Sequence, residues 1–464
     1  VRWRWSGHGN DYRTPQLEGK CFALPFAYQH KRSNGLSPAS YILLATGPYH
    51  QPLDWTYRHM TATNIKATEL TGRTPRLRMQ LGLCFFAFIL IGVNDGAFGV
   101  LIPSMRSHYS VSTATIGLLF LCSSMGYLIA AFNSGLLVEK LGNRLFLLLG
   151  IGAFLFATLM ISLMPLFPVL MCMLFSLGFG GAILDAGLNT YIAGLPRNTA
   201  LLNYLHAFYG VGALLGPIIA SGLLAIGFGW NSVYVVWLSI CIVLGVGVGF
   251  AFKGHTRAGK EQTAKEEAKQ NVLFTALAMR IVWLGAIFLL FYVGTEVSLG
   301  SWSYSFLTEE RGGAPLLMGW AVSGYWLGLT LGRLTLARVA LNLGEKRLIQ
   351  LCIAGVVAGV LLIWLVPLNG VSAIGLCLTG YCLGPIFPTT IALISKLVPA
   401  RILPSAIGFL ASLGSMGGAL FPWLAGNLAQ FIGLWALLPY VILLTLVMLG
   451  LWMLLQARPD NQTA

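Results

Sequence analysis

From residue 79 to residue 456 the chain alternates between long apolar runs and short polar breaks. Crossing about 30 Å of hydrocarbon takes roughly 20 helical residues, at about 1.5 Å each. Twelve runs reach that length: 79–104, 113–137, 145–164, 167–194, 202–227, 231–252, 279–307, 317–341, 347–366, 371–396, 404–431 and 434–456. One break is long, the Lys-, Glu- and Gly-rich stretch 253–271, and it divides the runs six and six. The pattern predicts an all-α polytopic membrane protein. Its parts are an N-terminal extension 1–78, a first six-helix bundle 79–252, a linker 253–278, a second bundle 279–456 and a tail 457–464.

Polar residues inside apolar runs are the exceptions that carry information. The run Gly178–Ile192, GFGGAILDAGLNTYI, holds Asp185 at its centre. A charged side chain at bilayer depth costs at least about 2.5 kcal/mol, so it normally faces protein or a watery cavity. On a helix, Gly178, Gly181, Asp185 and Asn189 form one stripe of small and polar residues, a candidate substrate-facing wall. Asp95, next to Asn94, interrupts the first run, and Glu296, four residues after Tyr292, interrupts the seventh.

Composition excludes a soluble chain: 56% of residues are apolar, 9% are charged and mean hydropathy is +0.76. The net charge of +14 lies between hydrophobic runs, without the basic face or aromatic motif of a nucleic-acid binder. It follows the positive-inside pattern instead. One set of connections carries Arg73, Arg76, Arg78, Lys140, Arg144, Arg197, the 253–271 cluster, Arg338, Lys346, Arg347, Lys396, Arg401 and Arg458; the other carries Arg106 and Arg311. Both termini and the linker are therefore expected in the cytoplasm. Seven of the eight cysteines sit in apolar runs, with no CxxC spacing, and read as small hydrophobes.

Residues 1–59 match the rest poorly. They begin with Val, hold four of the seven histidines, and contain no apolar run longer than Tyr41–Ala45, whereas Met60 opens a basic leader. Two readings follow, an upstream translation or misassigned start, and a disordered extension.

The halves echo each other. GLLVEKLGNR from Gly135 recurs as GRLTLARVALNLGEKR from Gly332, and GALLGPIIASG from Gly212 as GGALFPWLAG from Gly417. Repeated six-helix halves joined by a cytoplasmic loop are the organisation of major facilitator transporters. Gly135, Glu139, Gly142 and Arg144 resemble that superfamily's signature loop, a gating motif that usually has Asp where this chain has Glu139. Within the superfamily the chain resembles the fucose-permease-type sugar and proton symporters and the related sodium-dependent glucose transporters. NDGAFGVLIPSM, DAGLN, NYLHAFYGVGALLGP and FYVGTEVSLGSW carry that resemblance. It implies the major facilitator fold, two pseudo-symmetric six-helix bundles, and proton-linked acids at Asp95 and Asp185. The helix 4 acid of the fucose permease is Glu, and its helix 7 has an amide where this chain has Glu296.

Coupling or protonation is thus assigned to Asp95, Asp185 and Glu296, and substrate binding to Asn94, Asn189, Asn203, His206, Tyr292 and Trp302. Each has a structural alternative. Asp95 sits in a Gly-rich helix where a kink would give it a buried partner, Asp185 is within reach of an ion pair with Arg144 or Arg197, and Glu296 can brace helix packing. His206 shares a polar-and-small face with Asn203, Gly210, Ala213 and Pro217, and serves equally as a satisfied structural histidine. Trp302 and Trp326 suit stacking on a sugar ring or ordinary packing. Glu309 and Glu310 read as solvated loop charges.

The function expected is secondary active transport of a small polar solute, most simply a sugar, by alternating access with proton or sodium symport. The partners are that solute, its coupling cation and the lipid bilayer, with no nucleic acid, no cofactor, no metal and a monomeric state. The alternative is proton-coupled drug or metabolite export, because Gly212, Gly216 and Pro217 resemble the antiporter motif of helix 5; the paired glycines that usually follow are Ala220 and Ser221 here. No HExxH or GxSxG supports an enzyme.

Overall fold

A backbone in hydrocarbon must satisfy its own N–H and C=O groups, and the apolar runs do so as helices. The computed structural model describes residues 75–195, 198–252, 275–399 and 401–456. Expectations for residues 1–59, for the leader before residue 75, for most of the linker, for Arg197 and for the tail lie outside the described residues. The helices are α1 (Pro75–Tyr109), α2 (Thr113–Ser162), α3 (Phe167–Ala193), α4 (Asn198–Ala225), α5 (Ser232–Ala251) and α6 (Arg280–Ser305) in the first part of the chain. They continue as α7 (Pro315–Leu343), α8 (Glu345–Leu365), α9 (Asn369–Leu383), α10 (Ile386–Leu397), α11 (Leu403–Phe431) and α12 (Leu437–Gln456).

Among the described residues, ten helical segments are long and apolar enough to cross a membrane. One of them, α2, contains two spans that meet at Gly142, and α7, 29 residues long, supplies a further one, which gives twelve. Two departures from the hydropathy pattern have local causes. The tenth run breaks into α9 and α10 at Gly384–Pro385, where proline lacks an amide proton and crowds the preceding turn. The seventh overruns its apolar stretch as a π-helical turn, Phe306–Glu310.

The repeat visible in sequence is a repeat of structure. Gly142 has φ 71° and ψ 161°, and Gly344, at the matching break between α7 and α8, has φ 77° and ψ 152°. Only glycine enters that region readily. Helix crossings repeat as well. A Cβ on Gly212 of α4 would strike the Ile89 carbonyl of α1, and one on Gly417 of α11 would strike the Leu290 carbonyl of α6. Gly178 of α3 presses likewise on Ser123 of α2, and Gly380 of α9 on Tyr325 of α7. Small residues let these backbones approach within van der Waals distance, which is what holds helices together where lipid removes the hydrophobic drive. The halves meet mainly where α2 packs on α11 and α4 on α7.

Candidate functional site

Between the halves lies a cavity of ≈ 420 Å³. Into its wall α1 brings Asn94 and Asp95, α2 brings Tyr127, and α3 brings Gly178, Gly181 and Asp185. The wall also includes His206 and Tyr209 of α4, Glu296 of α6, and Trp326 and Arg333 of α7. The small-and-polar stripe of α3 therefore does face a cavity. Its fourth member, Asn189, stands behind Asp185 rather than among the lining residues.

The two aspartates have similar surroundings. Tyr209 donates its hydroxyl to Asp95 Oδ2 at 3.0 Å, and Asn94 Nδ2 donates to Oδ1 at 3.3 Å. Tyr127 donates to Asp185 Oδ2 at 2.8 Å, and Asn189 Nδ2 to Oδ1 at 2.7 Å and to the Asp185 carbonyl at 2.9 Å. Among the described residues neither carboxylate has a basic nitrogen within 4.0 Å, so the ion pair of Asp185 with Arg144 is not formed. Neutral donors hold the ion in place without a countercharge. A proton can therefore arrive or leave without orphaning a buried cation.

Glu296 differs. Arg333 Nη2 lies 3.5 Å from its Oε1, while Arg333 Nε donates to the Gly384 carbonyl at 3.3 Å, at the break between α9 and α10. Tyr325 donates to the Glu296 backbone carbonyl at 2.8 Å. By the crossing register Glu296 is the counterpart of Asp95, each six residues beyond the carbonyl pressed by a glycine, Leu290 or Ile89.

The other residues singled out in sequence fall in several places. His206 lines the cavity and meets Phe88 edge-on at 5.6 Å. Asn203, one turn away, is exposed and is not among the lining residues. Tyr292 is fully buried near Phe387, and Trp302, also buried, donates Nε1 to the Pro422 carbonyl at 2.9 Å. Gly135, Glu139, Gly142 and Arg144 lie together at the α2 turn, on the face that carries the start of α1, with the Glu139 side chain exposed.

At the opposite face the halves are tied. Arg106, near the end of α1, pairs with Glu309 at 2.5 Å, and the Thr113 amide donates to Gln430 Oε1 at 3.0 Å. Glu309 is exposed, as expected of a solvated charge, and the π-helical turn also sets it against Arg106 of the first half. Both contacts join the first half to the second across this face.

The chain matches the Major Facilitator Superfamily over residues 84–312 and 284–464. The chain belongs to that superfamily. Among curated relatives, Bypass of stop codon protein 6 of Saccharomyces cerevisiae is 26% identical over 87% of this chain and 86% of its own length. The glucose/mannose transporter of Bacillus subtilis is 24% identical over 77% and 88%, and the 3-(3-hydroxy-phenyl)propionate transporter of Escherichia coli 23% over 77% and 90%. Of solved structures, a mutant of the nucleoside transporter NupG superposes with TM-score 0.70 at 14% identity, covering 81% of this chain and 99% of that one. The E. coli fucose:proton symporter gives TM-score 0.57 at 15% identity, covering 83% and 99%.

These neighbours show the major facilitator fold. Several cavity residues escaped the sequence reading, among them Tyr127, Tyr209 and Arg333. The rule that flagged the acids, a charge within an apolar run, applies equally to Arg333, which the GRLTLAR echo of the signature loop concealed. Nothing in sequence distinguishes the two tyrosines from membrane aromatics.

Proposed function

We propose that this major facilitator transporter is a proton-driven symporter of a small hydroxyl-rich solute of the sugar class. The observation that carries the reading is the pair Asp95 and Asp185, two cavity-facing carboxylates of the first half held by neutral donors alone. Coupling needs a group whose charge changes on loading and whose loading alters the balance between inward and outward states. Asp185 of α3 and Asp95 of α1, both in the cavity wall, fit that role. Asn94 and His206 add donors and acceptors for hydroxyls. Trp326 offers an aromatic face.

On the positive-inside pattern the basic face is cytoplasmic, which puts the Arg106–Glu309 tie on the outer side and favours an inward-facing reading of the carrier. Sugar carriers among the relatives and neighbours support the substrate class, and the hydroxyphenylpropionate carrier extends it to organic acids.

The test is uptake into proteoliposomes of a panel of hexoses, deoxyhexoses and amino acids, with the outside acidified. Accumulation of a hexose or deoxyhexose that collapses with a protonophore is the expected result. Sodium-dependent uptake indifferent to the protonophore would replace the coupling ion, and uptake of amino acids alone would overturn the substrate class.

A further inference from the structure

Resting on that reading, we propose that the preferred substrate is an acidic sugar or similar hydroxylated monocarboxylate, whose carboxylate docks on Arg333 in place of Glu296. The first ground is the state of the Arg333–Glu296 pair. Charge-assisted N–H···O bonds close to about 2.7–2.9 Å, yet these groups stand 3.5 Å apart. The arginine side chain is 34% exposed and the glutamate 12%, so an anion in the cavity meets the guanidinium first. Among the described lining residues Arg333 alone carries a permanent positive charge.

The second ground is independent. Trp326 lies seven residues before Arg333 on the same face of α7 and lines the same cavity. It is 6% exposed, and its indole Nε1 is buried with no acceptor among the described residues. A buried donor without a partner costs about 1–3 kcal/mol, which a ligand oxygen at that point would relieve. One wall therefore offers donors, Trp326 and Arg333, and the facing wall offers acceptors, Asp95 and Asp185. A molecule with a carboxylate at one end and hydroxyls at the other satisfies both.

The substrate carboxylate takes the place of the Glu296 carboxylate against the guanidinium, so the cation is not left without a countercharge.

D-Glucuronate and D-glucose form the direct comparison, because they share a ring and differ at C6. Binding to the purified full chain is measured by competition and movement by counterflow in proteoliposomes. Glucuronate is expected to bind at least tenfold tighter than glucose. In Arg333→Gln that preference ratio should fall at least tenfold, and in Glu296→Gln, where no carboxylate competes for the guanidinium, it should rise severalfold. Opposite movements in the two variants distinguish the exchange from damage to folding. Proton-driven glucose uptake without a preference for glucuronate would overturn this inference and leave the sugar symporter standing. Failure of both sugars to bind or move would remove both. A glucuronate preference that neither substitution changes would place the carboxylate elsewhere and also overturn the proposal.

Discussion

Asp185 and Phe387 occupy the same position in the two halves, each seven residues past a glycine, Gly178 or Gly380, that presses on a neighbouring helix at Ser123 or Tyr325. The same register sets Tyr127 opposite Leu329 and Asn189 opposite Ile391. The hydrogen-bonded acid of the first half has an apolar copy in the second. Of the acids in the cavity wall, Asp95 and Asp185 belong to the first half and Glu296 to the second, which also supplies Arg333.

The glycine crossings make a stability prediction. A methyl group on Gly178 has nowhere to go, since the Ser123 carbonyl already fills its place. Overpacking typically costs about 1–3 kcal/mol. Gly178→Ala should lower the thermal midpoint in detergent, whereas Gly152→Ala, whose Cβ meets nothing within 4 Å, should not. Equal midpoints for the two variants would mean that the crossing is looser than described.

The paired positive-φ glycines make another. Gly142→Ala and Gly344→Ala each force a side chain into a backbone region nearly exclusive to glycine, at a cost of about 1–3 kcal/mol. Because the conformations match, the two substitutions should destabilise by similar amounts and slow counterflow more than they weaken solute binding. A loss of binding with unchanged exchange would assign the turns to the site instead of the hinge.

A third concerns the tie at the outer face. Glu309→Gln removes the pair with Arg106, and a partly exposed pair contributes about 0.2–1 kcal/mol. That energy corresponds to an up to roughly fivefold shift toward the outward-open state. In a cysteine-free background, Ser301→Cys in the cavity wall should then react faster with an impermeant thiol reagent added outside. The exchanged pair Arg106→Glu with Glu309→Arg should restore the slow rate. Unchanged labelling in Glu309→Gln would show that the tie does not set the equilibrium.

Most of the architecture was legible in the sequence because hydropathy reports directly on what lipid demands of a helix. Gly142 and Gly344 were legible as punctuation within the repeated motif, although their shared conformation was not. The acids stood out because an isolated charge in an apolar run has few innocent explanations. Their partners did not stand out. Tyr127 and Tyr209 acquire meaning only from helix crossings that bring residues 58 and 114 positions apart into hydrogen-bonding distance. Trp302 shows the converse. Its composition suited a sugar platform, but the packing of α6 on α11 gives its N–H to a backbone carbonyl.

The central claim, that Asp185 carries a coupling proton, is tested most directly by one variant assayed two ways on the same preparation. Asp185→Asn keeps the shape of the side chain and a hydrogen-bonding oxygen for Tyr127, while removing its titration. Counterflow, which needs only binding and alternation, should persist. Accumulation against a concentration gradient, driven by outside acid, should vanish. A variant that still accumulates solute uphill with the parent's pH dependence would contradict the account and pass the role to Glu296 or His206.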